Sequence, residues 1–116
     1  MGRQKSFDTK KYSVNLSSNA LRNIDEITGY IAFIEHQPAN AIKVGDVILE
    51  TISRIEQHPY AFKECNELKT KSKMYRSAIC ASWHIIYKII STNITILGII
   101  HNSRRPSVIK QLKKAK

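Results

Sequence analysis

The stretch from Met74 to Pro106, MYRSAICASWHIIYKIISTNITILGIIHNSRRP, contains three apolar, β-branched runs separated by two-residue breaks. β-Branched side chains favour extended backbone. The pattern therefore predicts a three-stranded β-meander that exits through His101 and the pair Arg104-Arg105. With Ala81-Ser82 and Thr92-Asn93 as the two hairpin turns, Arg76 pairs with Tyr87 and Ile79 with His84. In the second hairpin the same rule sets Tyr87 opposite Gly98 and His84 opposite His101. Side chains alternate along a strand, so Trp83, Ile85, Tyr87 and Ile89 share one apolar face with Ala78, Ile96 and Ile100. The other face, expected to be open, carries Tyr75, Ser77, His84, Ile86, Lys88 and His101, with the two histidines side by side.

Upstream, the periodicity changes. Tyr12, Val14 and Leu16 alternate with polar residues as a short strand does, and Ser17-Ser18-Asn19 offers helix N-caps. Leu21, Ile24, Ile27, Ile31 and Ile34, with Tyr30, then recur at three- and four-residue spacing, which predicts an amphipathic helix. His36-Gln37-Pro38 interrupts this stripe, and Pro38 suits the first turn of a second helix. Ala41, Val44, Ile48, Ile52 and Ile55 continue the second stripe as far as His58-Pro59. Two helices joined by so short a connection form an antiparallel hairpin. The fold class expected is α+β, in the order β-α-α-β-β-β. An N-terminal strand is followed by a helical hairpin packed on a small, mainly antiparallel sheet. Its core should include Leu21, Ile24, Ile27, Ile31, Val44, Ile48, Ile52, Ile85, Tyr87, Ile89 and Ile96. Pro59 to Lys73 reads as an ordered polar loop, residues 1–10 as a flexible tail, and residues 106–116 as a basic tail, either flexible or a short helix.

At 116 residues the chain is read as one domain. Its formal net charge of +10 and pI near 9.8 point to an anionic partner: nucleic acid, an acidic protein or an anionic surface. A surplus of solvated lysines is the plainer reading. The two cysteines make at most one disulfide, and Cys80, in an apolar strand, reads as a buried small hydrophobe in a reducing compartment. The first residues carry charge without the apolar core of a signal peptide, and no apolar run approaches about 18 residues. The expected location is the cytoplasm, with no membrane association. His84 and His101 have no third ligand, since Cys80 points to the other face, so neither a metal nor another cofactor is expected.

The order of elements, the proline at the helical bend, the helix ending in His-Pro, and "YR…WHIIYKI…ILGIIHNSRR" together resemble the RelE/ParE superfamily of bacterial toxin–antitoxin toxins. The resemblance spans Lys11 to Arg105. The long hairpin from Leu21 to Ile55 and the histidine-then-arginine ending resemble the ParE branch more than the compact RelE branch. ParE-like membership implies a plasmid-stabilisation toxin that inhibits DNA gyrase by binding. RelE-like membership implies a ribosome-dependent mRNA endoribonuclease. Either implies a cognate antitoxin, expected to be acidic.

RNA cleavage by 2′-OH attack needs a base, an acid and positive charge for the phosphorane. His84, His101 and Arg104 would fill those roles if the chain is a nuclease. However, His84 stands where such enzymes usually carry arginine, and Tyr75 and Ser77 replace outward lysines. No catalytic residue is therefore assigned. The residues expected to bind target or antitoxin are Arg76, His84, His101, Arg104 and Arg105, with Lys69, Lys71 and Lys73 in the preceding loop. Arg76 also has a structural reading, its guanidinium packed on an aromatic ring. A third function class, a non-catalytic basic nucleic-acid-binding module, lacks both a recognition helix and a stacking-aromatic motif.

Overall fold

A computed structural model describes residues 11–104 and 107–114. Strand β1 (Ser13–Leu16) leads into helix α1 (Ser18–Gly29), which continues as a π-helical turn over Tyr30–Ile34. Helix α2 (Pro38–Gln57) returns antiparallel, with Pro38 in its first turn where the missing N–H costs nothing. A two-residue strand β2 (Lys63–Glu64) lies within the loop that follows. The meander is β3 (Tyr75–Cys80), β4 (Trp83–Ile90) and β5 (Asn93–His101), and a short helix α3 (Ser107–Lys110) closes the described chain with a 3-10 turn. The sheet order is β1-β5-β4-β3-β2. β1 runs parallel to β5 and the other pairs are antiparallel. The α+β class and element order are those expected, with β2 as an added fifth strand. No helix among the described residues is long and apolar enough to cross a membrane.

The first hairpin has the expected register, with Arg76 opposite Tyr87 and Ile79 opposite His84. The second does not. Its turn is Ser91-Thr92, one residue earlier than expected, and Ser91 adopts a φ of 55°. Serine tolerates this left-handed conformation better than β-branched threonine, which a Thr92-Asn93 turn would have placed there. Ile90 accordingly pairs with Asn93 and Tyr87 with Ile96. Beyond Tyr87 the register shifts again: Ile86 pairs with Gly98 and Trp83 with His101, leaving Leu97 as an extra residue in β5.

This bulge reverses the facing of everything after it. Ile94, Ile96 and Ile99 face the helices, in a core with Ile48, Ile52, Ile55, Ala78, Ile85, Tyr87 and Ile89. Leu97 and Ile100 instead join Tyr75 and Ile86 in a second cluster on the opposite side, closed by Cys65, Leu68, Ile109 and Leu112. The face expected to be open is thus covered. Ser107–Lys114, read from sequence as part of a tail, is helical, and it buries Ile109 and Leu112 against the sheet.

The bulge also anchors α1. β1 pairs with β5 only as far as Ile96, so the next backbone groups of β5 need other partners. Ser17 and Asn19 side chains donate to the Leu97 carbonyl at 3.1 and 3.0 Å, and Ile99 N–H donates to Asn23 Oδ1 at 3.0 Å. Ser17 Oγ simultaneously caps α1 by accepting from Ala20 N–H at 3.0 Å. Gly98 lies beneath this junction, where an added Cβ would approach Asn19 and Leu112 atoms to 3.0 Å.

One expected core position, Leu21, and the last residue of the first helix stripe, Ile34, are instead exposed. Leu21 is 54% exposed because the buried face of α1 runs through Ala20, Ile24, Ile27 and Ile31. Ile34, 63% exposed, is the last residue of the π turn, whose wider winding shifts the helical phase and carries the end of the stripe outward.

Candidate functional site

The residues singled out in the sequence do not converge on one spot. His84 is half-buried on the face covered by α3, and its Nδ1 lies 3.2 Å from Ser77 Oγ. His101 is exposed on the opposite face, because the Leu97 bulge turns it toward Trp83. Its ring meets the Trp83 indole edge-on, with centroids 5.7 Å apart. The cross-strand partner of His84 is Ile100 rather than His101. The side-by-side histidine pair is therefore absent. The acid–base arrangement of His84, His101 and Arg104 required the two rings to share a face.

His101 has a defined hydrogen-bond environment. Ser103 N–H donates to its Nδ1 at 3.1 Å, and Ser103 Oγ lies 2.9 Å from the same atom. A ring nitrogen that accepts a backbone N–H must carry its lone pair there, so the neutral ring holds its proton on Nε2. The backbone of Arg104 closes the 3-10 turn Asn102–Arg104 that follows, and Arg105 lies outside the described residues.

Arg76 is half-buried near the β2 end of the sheet. Its Nη1 donates to the carbonyl of Phe62 at 2.9 Å and its Nε to that of Lys73 at 3.0 Å, while its guanidinium lies 5.0 Å from the Tyr60 ring centroid. The guanidinium thus ties the loop after α2 to β3. Tyr87, its cross-strand partner, donates from its hydroxyl to the Pro59 carbonyl at 2.6 Å. Burial pushes the Tyr87 hydroxyl well above its ordinary pKa, and the charge of Arg76 opposes that shift only in part. Lys69, Lys71 and Lys73 are exposed along the loop before β3. Lys113 of the final turn sets its ammonium 5.8 Å from the Tyr75 ring centroid. Cys65 and Cys80 are free and buried; desolvation raises the Cys65 thiol pKa above its usual value.

One feature was not legible in the sequence. A groove of about 1210 Å3 opens between α1 with its π turn and the Trp83–His101 end of the sheet. Glu26, Tyr30 and Glu35 line one side and Trp83, His101 and Val108 the other. It depends on the bulge, which turns His101 onto this face, and on the placement of α3, which contributes Val108. Neither has a periodic signature.

The architecture matches solved toxin–antitoxin proteins. A chain of the chromosomal ParDE toxin–antitoxin system from P. aeruginosa superposes with a TM-score of 0.62 at 18% identity, covering 78% of this chain and 96% of that one. A chain of the toxin–antitoxin complex RelBE2 from Mycobacterium tuberculosis superposes with a TM-score of 0.50 at 17% identity, covering 80% of this chain and 100% of that one. The chain shares the fold of these two toxin–antitoxin chains. Within it the assignment is narrower: the family described as the ParE toxin of type II toxin–antitoxin systems, parDE, matches residues 14–106, and the chain belongs to that family. No curated protein sequence matches the chain.

Proposed function

We propose that this ParE-type toxin inhibits DNA gyrase by binding it, without a catalytic step, and that a cognate acidic antitoxin neutralises it in the cytoplasm. The observation that supports this reading is the separation of His84 and His101 onto opposite faces of the sheet. A general base and a general acid must both reach one scissile phosphate, and these two rings do not face a common space. The sheet face around His84 is in addition roofed by Ile109 and Leu112 rather than left as an open cationic surface. The exposed cations Lys69, Lys71 and Lys73, with His101, Arg104 and Arg105, are proposed to meet the carboxylates of target or antitoxin. Arg76 contributes by holding their loop in place. Long-range attraction to an acidic antitoxin makes association fast and salt-sensitive.

The deciding experiment pairs growth arrest with purified gyrase. The double variant His84→Ala/His101→Ala should retain supercoiling inhibition within about tenfold of wild type, since only contacts and no proton transfers are removed. Pulse-labelling should show DNA synthesis stopping before translation. If ribosome-bound mRNA is cut by the wild type, and a folded double variant loses about 10²–10⁴ in rate, the chain is a RelE-like endoribonuclease instead.

A further inference from the structure

A smaller cavity of about 310 Å3 adjoins the groove, where the first turns of α1 meet the end of β5 and the final helical segment. It forms around Gly98. A Cβ added there would approach Asn19 Nδ2 and Leu112 Cδ2 to 3.0 Å and Asn23 Oδ1 to 3.2 Å. The missing side chain thus lets residues from both ends of the chain converge, and all three line the cavity. Ile109 and Leu112, buried with Leu97 and Ile100, fix the far wall and bring Gln111 and Lys114 to the lining.

Hydrogen bonds decide which polar groups remain for a ligand. Asn23 Oδ1 accepts from Ile99 N–H at 3.0 Å and from Asn19 Nδ2 at 3.4 Å. Its carbonyl is therefore engaged by the protein, and its NH2 is the group it has left to offer. Asn19 is engaged at both ends, since Nδ2 also donates to the Leu97 carbonyl and Oδ1 accepts from Arg22 Nη2. That last bond orients the Arg22 guanidinium while leaving most of its N–H donors unspent. Lys114 adds an ammonium. No acidic side chain lines the cavity among the described residues; Glu26, one turn beyond Arg22 on α1, borders the groove instead. The lining is thus rich in donors and doubly cationic, beside an apolar patch of Ile100, Val108 and Leu112.

We infer that this cavity binds the phosphate monoester of a small molecule. Arg22 and Lys114 hold the phosphate, Asn23 donates to it, and the body of the ligand lies against Ile100 and Val108. Charge favours a monoester over a carboxylate: it carries about −1.5 to −2 at neutral pH and has three strong acceptor oxygens, against a single charge for a carboxylate. The volume lies at the small-ligand end of the range for binding pockets. The inference does not rest on gyrase as target, since that reading uses other cations.

The test titrates the full 15N-labelled chain with phenyl phosphate and uridine monophosphate. Inorganic phosphate, succinate and the dinucleotide UpU, whose phosphate is a diester, serve as comparisons. At least one monoester should saturate a single site, shifting the amides of Asn23, Ile100, Gln111 and Lys114. Each comparison ligand should bind it at least about tenfold more weakly. Arg22→Gln/Lys114→Gln should weaken the monoester at least about tenfold. Lys43→Gln/Lys63→Gln, which removes the same charge outside the cavity, should weaken it less than about twofold. If loss of the Arg22–Asn19 bond lowers the melting temperature, Lys114→Gln alone carries the test, with the same direction. The proposal is overturned if neither monoester saturates, if the shifts centre on Lys69–Lys73 instead, or if both double variants weaken binding equally. Equal affinity for succinate would make this a carboxylate site, equal affinity for UpU a contact for a nucleic-acid strand, and equal affinity for inorganic phosphate a site for the free ion; each overturns it.

Discussion

In the sheet, Ile85, Ile86, Tyr87, Ile94 and Ile96 are completely enclosed, whereas along the hairpin Phe33, Ile34, Ile42 and Leu49 are all more than half exposed. The central strands β4 and β5 are covered on both faces: by the hairpin on one side, and by Cys65, Leu68, Ile109 and Leu112 on the other. The hairpin is anchored along one stripe only, and its outer surface is apolar and acidic together. Phe33 and Ile34 lie on the π turn and Ile42 and Leu49 on α2, outside both buried clusters. The comparison places the stability of the fold in the sheet and leaves the outer side of the hairpin outside the core, a division that mutation can break.

The sharpest test sets Ile85→Ala against Ile42→Ala. Ile85 is fully buried between the hairpin and the centre of the sheet, so truncation should cost about 2–5 kcal/mol. Ile42 is 68% exposed, and its truncation should cost about 0.5 kcal/mol or less. Chemical denaturation of both variants measures the difference. Equal losses would mean that the hairpin is as much a part of the core as the sheet.

A smaller effect is expected where the two regions are stitched together. Ser17→Ala removes the α1 cap and one donor to the Leu97 carbonyl at once. It should cost about 1–2 kcal/mol. If the bulge is held by these bonds, hydrogen exchange should rise at Gly98 and Ile99 more than at Ile85. Uniform exchange would show that the bulge stands without them.

The smallest effect at neutral pH, and the most specific, concerns Tyr87. Tyr87→Phe leaves the Pro59 carbonyl without its donor and should cost about 1 kcal/mol. Its alkaline behaviour carries the sign. Because the folded-state pKa is raised above the ordinary value of 10.0, the unfolded chain releases this proton first. The wild type therefore keeps the stabilisation below pH 10 and loses it as pH rises toward the folded-state value. The phenylalanine variant should show a shallower loss of stability above pH 10. Parallel curves for the two proteins would mean that Tyr87 is not shielded from solvent.

Much of this architecture could be read directly from residue spacing. The stripes of the two helices, the proline at the start of α2 and the register of β3 with β4 each follow from a local period of a few residues. The cap of α1 is narrowed in the same way to Ser17, Ser18 or Asn19, of which the structure uses Ser17. The candidate site was less accessible. His84 and His101 were identified as residues of interest, but their relation was set by a turn one residue earlier than expected and by a bulge at Leu97. Nothing in the spacing of Glu26 and Glu35 announces a groove.

The sequence by itself determined the element types, the bend between the helices and the basic character of the chain. Those depend on side-chain volume, branching and charge, which act over one or two turns of chain. The tertiary structure decided which face each residue of β5 presents. In a strand of period two, one extra residue at Leu97 exchanges the two faces for everything that follows, and the backbone at Leu97 and Ile99 is bonded by Ser17, Asn19 and Asn23, some eighty residues away in the chain. Contacts that distant leave no trace in local periodicity, yet they place His101 beside Trp83 and Ile100 beneath Leu112.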